Sequence, residues 1–301
     1  MAKKKSITTL IDDCDALFKT STKVPEDLLD WASSEFREVL KDRFAKYGVD
    51  RDNKNMRLSQ SGKELRLLHL EHLDDVNKEF PPNVLRLFLY GDLVEILMVF
   101  MAKLSGHTVT NEQMEVTCAG VKGHIDGIID GNLVDEKSAS GFGYKKFANG
   151  DILNGSDPYG YIGQLGAYQQ SPELKGLISD TPYLWVMNKE NGEMCLRKVY
   201  DMYLPDMAKK IEAIKEVREP GASLPPMCAN SDEVPAAKTS LNKKIGSACT
   251  YCDYKWNCWE DLRAFKYSNR TEYLSTVVNE PRVDEVTHEL RDKRKRFNRK
   301  D

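Results

Sequence analysis

Two carboxylates and a lysine fall on what reads as one face of a single hairpin in the stretch from Val121 to Lys137. Val121 to Ile129 and Asn132 to Ser138 alternate apolar and polar residues, and Asp130-Gly131 between them is a two-residue turn signal of type I′. Such a turn sets Ile129 against Asn132 and Asp126 against Asp135. Carboxylates directly opposite each other, with Cβ atoms about 5 Å apart, repel unless a cation lies between them. Because strand side chains repeat every two residues, Lys137 and His124 share the face of the aspartates, while Glu136 points away. Oxygen ligands favour a hard ion such as Mg²⁺ or Mn²⁺, and an ammonium beside that ion can position or help deprotonate a water for attack on phosphorus. The chemistry would be phosphodiester hydrolysis. The spacing alone also suits a solvated, charged hairpin, so residues from elsewhere have to decide.

Two further segments bear on it. Tyr90-Gly-Asp-Leu-Val-Glu95 lies in a strongly apolar helical run from Val84 to Leu104, where Glu95 is costly to bury without a partner. Tyr161-Ile-Gly-Gln164-Leu-Gly-Ala-Tyr168 puts Gln164 and Tyr168 one helical turn apart on one face. The order Gly-x-x-x-Glu, Gly-His-Ile-Asp, Val-Asp-Glu-Lys, Gln-x-x-x-Tyr resembles the PD-(D/E)XK nuclease superfamily. Within it the match is to RecB-like exonucleases, including phage exonucleases and CRISPR-adaptation nucleases. Four ordered motifs with similar gaps are more specific than any one of them.

The resemblance implies a role for each matched residue. Glu95, Asp126 and Asp135 would hold the metal, with the backbone carbonyl of Glu136 as a further ligand. Lys137 would orient or activate the attacking water, and Gln164 and Tyr168 would stand beside the scissile strand. Many RecB-like members carry histidine where this chain has Glu95, which brings its first motif closer to the phage exonucleases and leaves the number of metal ions open. Phage exonucleases also carry a Ser-x-x-Gly-x-x-x-Arg element before the core, here Ser59, Gly62 and Arg66, whose basic residues could contact phosphates, though a capping loop and a surface arginine explain them about as well.

The last third of the chain carries a second signal. Cys249, Cys252 and Cys258 form Cys-x2-Cys-x5-Cys, and Cys228 lies upstream after Pro225-Pro226. Four thiolates from one irregular segment fit either tetrahedral Zn²⁺ or a [4Fe-4S] cluster, and spacing does not choose between them. RecB-like nucleases with this terminal pattern hold an iron-sulfur cluster, so the resemblance implies [4Fe-4S]. Because the fourth cysteine lies far upstream in some relatives, Cys14 and Cys118 are alternatives to Cys228. Cys195 reads as structural.

Around these motifs the chain reads as α/β: a restriction-endonuclease-like core with a central mixed sheet flanked by helices. A helical N-terminal region spans 1–80, the nuclease core 81–220, the cysteine module 221–280 and a basic tail 281–301, with Arg291, Lys293, Arg294, Lys295, Arg296, Arg299 and Lys300 near its end. Pro25 opens a helix with Leu28, Leu29, Ala32, Phe36, Val39, Leu40 and Phe44 as a core-facing stripe. Asn111 to Cys118 alternates like a strand. Gly141 to Pro158 reads as a loop mixing Phe142, Tyr144, Lys145, Lys146 and Phe147, suited to tracking a nucleic-acid backbone or to plain exposure. Thr181 to Lys189 and Glu193 to Val199 form a hairpin about Asn191-Gly192, and Leu204 to Glu219 an amphipathic helix.

With 44 basic and 47 acidic residues the net charge is -3, so any attraction for DNA has to be local. Arg86, Asp92 and Glu95 interrupt the best apolar run before it reaches the roughly 18 residues of a membrane helix. The opening Met-Ala-Lys-Lys-Lys-Ser is followed by no signal-peptide core, which leads to an expectation of a cytoplasmic protein, in the host cell if viral. Seven cysteines then suggest metal ligands or free thiols before disulfides. No phosphate-binding Gly-x-x-x-x-Gly-Lys-Ser/Thr loop is present, against an ATP-driven motor in this chain. The expectation is a metal-dependent deoxyribonuclease acting on DNA as an exonuclease, in phage recombination or DNA degradation, with single-strand annealing or replication proteins as partners. An endonuclease and an inert DNA-binding module of the same fold are the alternatives.

Overall fold

The computed structural model describes residues 5–45, 55–74, 80–179 and 181–286. In chain order the helices are α1 (Leu10–Ala16), α2 (Glu26–Ala45), α3 (Leu65–Leu73), α4 (Pro82–Leu104), α5 (Gly141–Ala148), α6 (Tyr161–Gln169), α7 (Met207–Glu216), α8 (Ser247–Thr250) and α9 (Lys255–Cys258). The strands are β1 (Val109–Thr110), β2 (Glu115–Cys118), β3 (Val121–His124), β4 (Gly127–Ile129), β5 (Asn132–Ala139), β6 (Tyr183–Asn188), β7 (Met194–Lys198), β8 (Glu233–Pro235), β9 (Lys243–Ile245), β10 (Arg263–Lys266) and β11 (Thr271–Thr276). They fall into two compact units, one of Met1–Gly62 with Val76–Glu212 and the other of Lys63–Asp75 with Ala213–Asp301. Of the basic tail, residues 287–301 lie outside the described residues.

The first unit is mixed α/β. Its five-stranded sheet has the order β1-β4-β5-β6-β7, with β5 and β6 parallel and the other pairs antiparallel. Helices cover both faces, which is why β6, Tyr-Leu-Trp-Val-Met-Asn, is buried along its whole length. On one face Val94, Met98 and Met101 of α4 and Leu10 and Cys14 of α1 pack on Val134, Tyr183, Trp185 and Met187. On the other, Phe147 of α5, Ile162 and Leu165 of α6 and Ile211 of α7 pack on Leu133, Leu184 and Val186. Adjacent residues of β5 therefore serve opposite cores: Leu133, and by alternation Asp135 and Lys137, face α6, whereas Val134 and Glu136 face α4.

The Asp130-Gly131 turn forms as expected, with both residues at positive φ and Ile129 paired with Asn132. The expected long hairpin does not. The β4–β5 ladder ends at Gly127 opposite Val134, and β3 leaves to pair with β2 in a separate ribbon, where His124 faces Glu115. Asp126 is thus no cross-strand partner of Asp135, and His124 does not oppose Lys137.

Three other readings are corrected. The strand expected over Asn111 to Cys118 begins only at Glu115, because Asn111 and Gln113 take positive φ. The segment read as a loop after Gly141 begins as a helix, α5, followed by a 3₁₀ turn at Asp151–Asn154; Tyr144 and Phe147 of α5 enter the core while Phe142 stays 77% exposed. The α2 stripe is no core face: Ala32 is buried, but Leu29, Leu40 and Phe44 are exposed, because α2 lies as an outer layer against α4. Arg43 of α2 grips Asp92 of α4 through both Nε and an Nη donor, one turn from Glu95.

The second unit is a four-stranded antiparallel sheet, order β10-β11-β9-β8, with a small core of Ile245, Cys249, Trp256, Leu262 and Ala264. The division differs from that expected at residues 80 and 220. α1 belongs to the first unit's core, while α3 joins the C-terminal unit: its His69 Nδ1 lies 2.6 Å from the Val217 carbonyl, and Tyr254 donates to the neighbouring Asp74 at 3.0 Å. Among the described residues no helix is long and apolar enough to cross a membrane.

Candidate active site

Glu136 donates its backbone N–H to Asp126 Oδ2 at 2.8 Å. That N–H faces the edge where β4 has ended, and the carboxylate takes the place of the missing strand. The same oxygen lies 3.5 Å from Lys137 Nζ, which also approaches Asp135 Oδ2 at 2.7 Å and donates to the Glu136 carbonyl at 2.9 Å. One ammonium therefore touches three of the four groups expected to hold a metal. Asp126 reaches it from the loop between β3 and β4 rather than from a paired strand.

The fourth group, Glu95, comes from α4 and lies close enough for Asp126, Lys137 and Asp135 all to act on its ionisation. Burial pushes its carboxyl up from 4.5 to about 8, with Asp126 adding to the shift. Burial likewise raises Asp135 to about 7 against the pull of Lys137. Glu136, on the α4 side, is buried with no partner for Oε1 among the described residues, and burial holds its carboxyl well above the usual range. The surrounding carboxylates raise the Lys137 pKa well above the usual value, against the effect of burial. Among the described residues no group of three or more His, Cys, Asp or Glu side chains has the spacing of a ready metal site. The donor set nevertheless fits a hard cation, because its oxygens already converge on a positively charged group.

Gln164 Nε2 donates to Asp135 Oδ1 at 3.3 Å and to the Tyr168 hydroxyl at 3.1 Å, using both protons of its amide. The ring of Tyr161, for which the motifs implied no role, lies 5.8 Å from Lys137 Nζ. Two features fix α6 in this position. The Asp157 carboxylate accepts the backbone N–H groups of Gly160, Tyr161 and Ile162 at 2.9, 3.0 and 2.8 Å, closing the helix N-terminus. Gly62 packs against the backbone of Gly160 and Gly163 so closely that a Cβ on it would lie 1.7 Å from the Gly160 carbonyl oxygen. An aspartate just before the helical Tyr161 run was a readable start signal; the Gly62 crossing joins residues far apart in sequence and had none. Beside Asp126, Gln164 and Tyr168 opens a cleft of about 790 Å³, lined also by Arg57, Lys122 and His124.

The four C-terminal cysteines all lie in the second unit, where burial above all, then Glu64 and the neighbouring Cys258, Cys252 and Cys249, pushes the Cys228 thiol up to about 11. Cys14 and Cys118 are instead buried in the two cores of the first unit, Cys14 with its Sγ 3.9 Å from Ser105 Oγ. Cys195 is half-buried on β7. Four soft thiols within mutual electrostatic reach fit Zn²⁺ or an iron-sulfur cluster by the chemistry of the donors. Arg66, which the sequence left between a phosphate contact and a surface arginine, donates from Nε to Cys258 Sγ at 3.1 Å.

No family model and no curated protein matches the chain. A solved structure titled "Crystal structure of SSO0001" is similar over 60% of this chain and 82% of its own, with 11% identity and a TM-score of 0.35.

Proposed function

We propose that the chain is a divalent-metal-dependent deoxyribonuclease of the PD-(D/E)XK type, acting as an exonuclease on DNA, with a C-terminal module of Cys228, Cys249, Cys252 and Cys258 that holds a [4Fe-4S] cluster or Zn²⁺. The observation that carries the reading is the meeting of Asp126, Asp135 and the Glu136 carbonyl on the Lys137 ammonium, with Glu95 in electrostatic reach.

Glu95, Asp126, Asp135 and the Glu136 carbonyl would hold Mg²⁺ or Mn²⁺, which supplies charge neutralisation at phosphorus and a more acidic water. The chain's own part is positional and protonic. Lys137 keeps its proton because carboxylates surround it, so it acts as a donor that orients the attacking water. Gln164 fixes one oxygen of Asp135 and leaves the other to the ammonium. In accepting from Gln164, the Tyr168 hydroxyl keeps its own proton for a phosphate oxygen of a strand lying in the cleft. Arg57, also at the cleft, gives local positive charge that the net charge of -3 does not, whereas Lys122 there is paired with Glu115 at 2.7 Å. Single-strand annealing or replication proteins are the partners this reading suggests.

The test is incubation with end-labelled linear DNA and closed circular DNA, with Mg²⁺, Mn²⁺ or EDTA. Metal-dependent shortening of linear DNA with circles intact is expected. Loss of circles would make it an endonuclease, and no cleavage with either metal would leave a DNA-binding module.

A further inference from the structure

Arg66 joins the two chain segments that bring the cysteines together. Its Nε donates to Cys258 Sγ at 3.1 Å, one Nη donates to the Pro225 carbonyl at 2.6 Å, and the other to the Asn257 carbonyl at 3.4 Å. Pro225 leads into Cys228, and Asn257 directly precedes Cys258. One guanidinium thus spans both segments while placing a charged donor on a ligand sulfur. It comes from α3, the piece of chain that belongs with the C-terminal unit although it lies between two parts of the first unit in sequence.

The charges around the four thiols are uneven. Lys255, its Nζ 4.7 Å from the Tyr273 ring, is a cation between Cys252 and Cys258 in the chain, while Glu64 is an anion two residues before Arg66. A metal centre with four thiolates carries net negative charge, which a fixed cation with an N–H on sulfur offsets. A guanidinium suits this role better than an ammonium, since its planar fork reaches several acceptors at once.

We infer that Arg66 is the positioning residue of a four-cysteine metal centre: it holds the Cys228 and Cys258 segments in register and stabilises the bound thiolates through its charge. The inference rests on the cysteine part of the proposed function and is independent of the nuclease part. It makes α3 a strap across the two cysteine-bearing segments, rather than a phosphate-binding arm.

The test uses the full-length protein, loaded with iron and sulfide or with Zn²⁺, and compares Arg66→Lys, Arg66→Met and Arg218→Met. Arg218 lies in the same unit, with an Nη 3.3 Å from His72 Nδ1, and controls for general loosening of that unit. Metal loss to a chelator is followed by absorbance near 400 nm for iron or by a zinc dye. Arg66→Met is expected to weaken metal retention roughly 10- to 100-fold, the usual range for a partner of a metal ligand. Arg66→Lys is expected to recover part of it, and Arg218→Met to match the parent. With iron bound, the reduction potential is expected to become more negative in Arg66→Met and less so in Arg66→Lys, a change that packing alone would not produce. If Arg66→Met does not fold, Arg66→Lys carries the comparison. Equal retention in the parent and Arg66→Lys or Arg66→Met, or equal losses in Arg66→Met and Arg218→Met, would overturn the inference. Parent protein with neither metal overturns it along with the cysteine module, while Mg²⁺-dependent cleavage by that same preparation would leave the nuclease reading standing.

Discussion

Lys137 Nζ lies 2.7 Å from Oδ2 of Asp135, a side chain with no exposed surface, so a cation already stands where the carboxylates need one. Removing it leaves a buried carboxylate unpaired. Lys137→Met in the metal-free protein is expected to cost up to about 3–5 kcal/mol near pH 8, where Asp135 is ionised in the parent, and less near pH 6, where its carboxyl already carries a proton. Because a divalent ion no longer competes with the ammonium for the same oxygens, Mg²⁺ or Mn²⁺ should raise the melting temperature more in this variant than in the parent. Cleavage should nonetheless fall roughly 10²- to 10⁴-fold, the usual worth of a positioned proton donor. Melting curves with EDTA and with Mg²⁺ check the first part, and end-labelled DNA the second. Near-parental cleavage would remove the lysine from the chemistry.

The raised carboxyl groups set a pH dependence. In the metal-free fold Glu95 keeps its proton up to about 8 and Asp135 up to about 7, against 4.5 and 3.8 in the unfolded chain. Across that interval the folded state binds more protons than the unfolded one, so stability falls as pH rises. In EDTA the protein should melt at a higher temperature near pH 5 than near pH 8, after allowance for groups elsewhere by comparison with Glu95→Gln, whose slope should be flatter. Saturating Mg²⁺ should also flatten the slope by giving the ionised forms a partner. A parent slope identical to that of Glu95→Gln would show that Glu95 is already ionised in the fold.

How far the sequence carried this depends on the range of the forces involved. Local signals were legible: the Asp130-Gly131 turn, the register at Ile129, and the β6–β7 hairpin about Asn191-Gly192 all follow from neighbours in the chain. Residues of the four motifs could be gathered only through resemblance, since Glu95 and Gln164 approach β5 from opposite faces of the sheet. The end of the β4–β5 ladder at Gly127 was not legible, because Val121 to His124 alternates equally well for pairing with β5 or with β2. The α2 stripe misled for a similar reason: periodicity reports an apolar face but not how much of it a neighbour covers. Arg66 read as either a phosphate contact or a plain surface arginine, because nothing local shows that Cys258 lies 3.1 Å away.

Backbone contact at Gly62 should matter more to the site than its distance from the carboxylates suggests. A methyl group there would overlap the carbonyl of Gly160, which stands at the start of the helix bearing Gln164 and Tyr168. Gly62→Ala is expected to destabilise the fold by about 1–3 kcal/mol or more through overpacking, and to lower cleavage in the fraction that remains folded. Gly155→Ala makes the comparison: its φ of 90° strains an added side chain, but nothing lies within 4 Å of the new Cβ. Both should melt earlier, and only the Gly62 variant should lose turnover per folded molecule. Equal turnover would separate the α6 position from the chemistry.

A clasp on the far side of the sheet gives a prediction about folding alone. His107, whose side chain has no exposed surface, sets Nδ1 2.6 Å from Asp130 Oδ2 and Nε2 3.2 Å from Asp13 Oδ2. Asp130 accepts the Thr108 N–H at 3.0 Å through its other oxygen, and Asp13 pairs with Lys5 at 2.7 Å. The imidazole therefore ties α1 to the turn between β4 and β5, across the edge of the core that Leu10 and Cys14 fill. His107→Leu keeps much of the volume but leaves the nearly buried Asp130 without its ring partner, at an expected cost of about 3 kcal/mol. Amide exchange should quicken first in α1, whose packing the clasp secures, while metal-dependent cleavage at a temperature where the variant stays folded should match the parent. Exchange unchanged in α1 alongside a loss of overall stability would show that the ring supports the turn and not the helix.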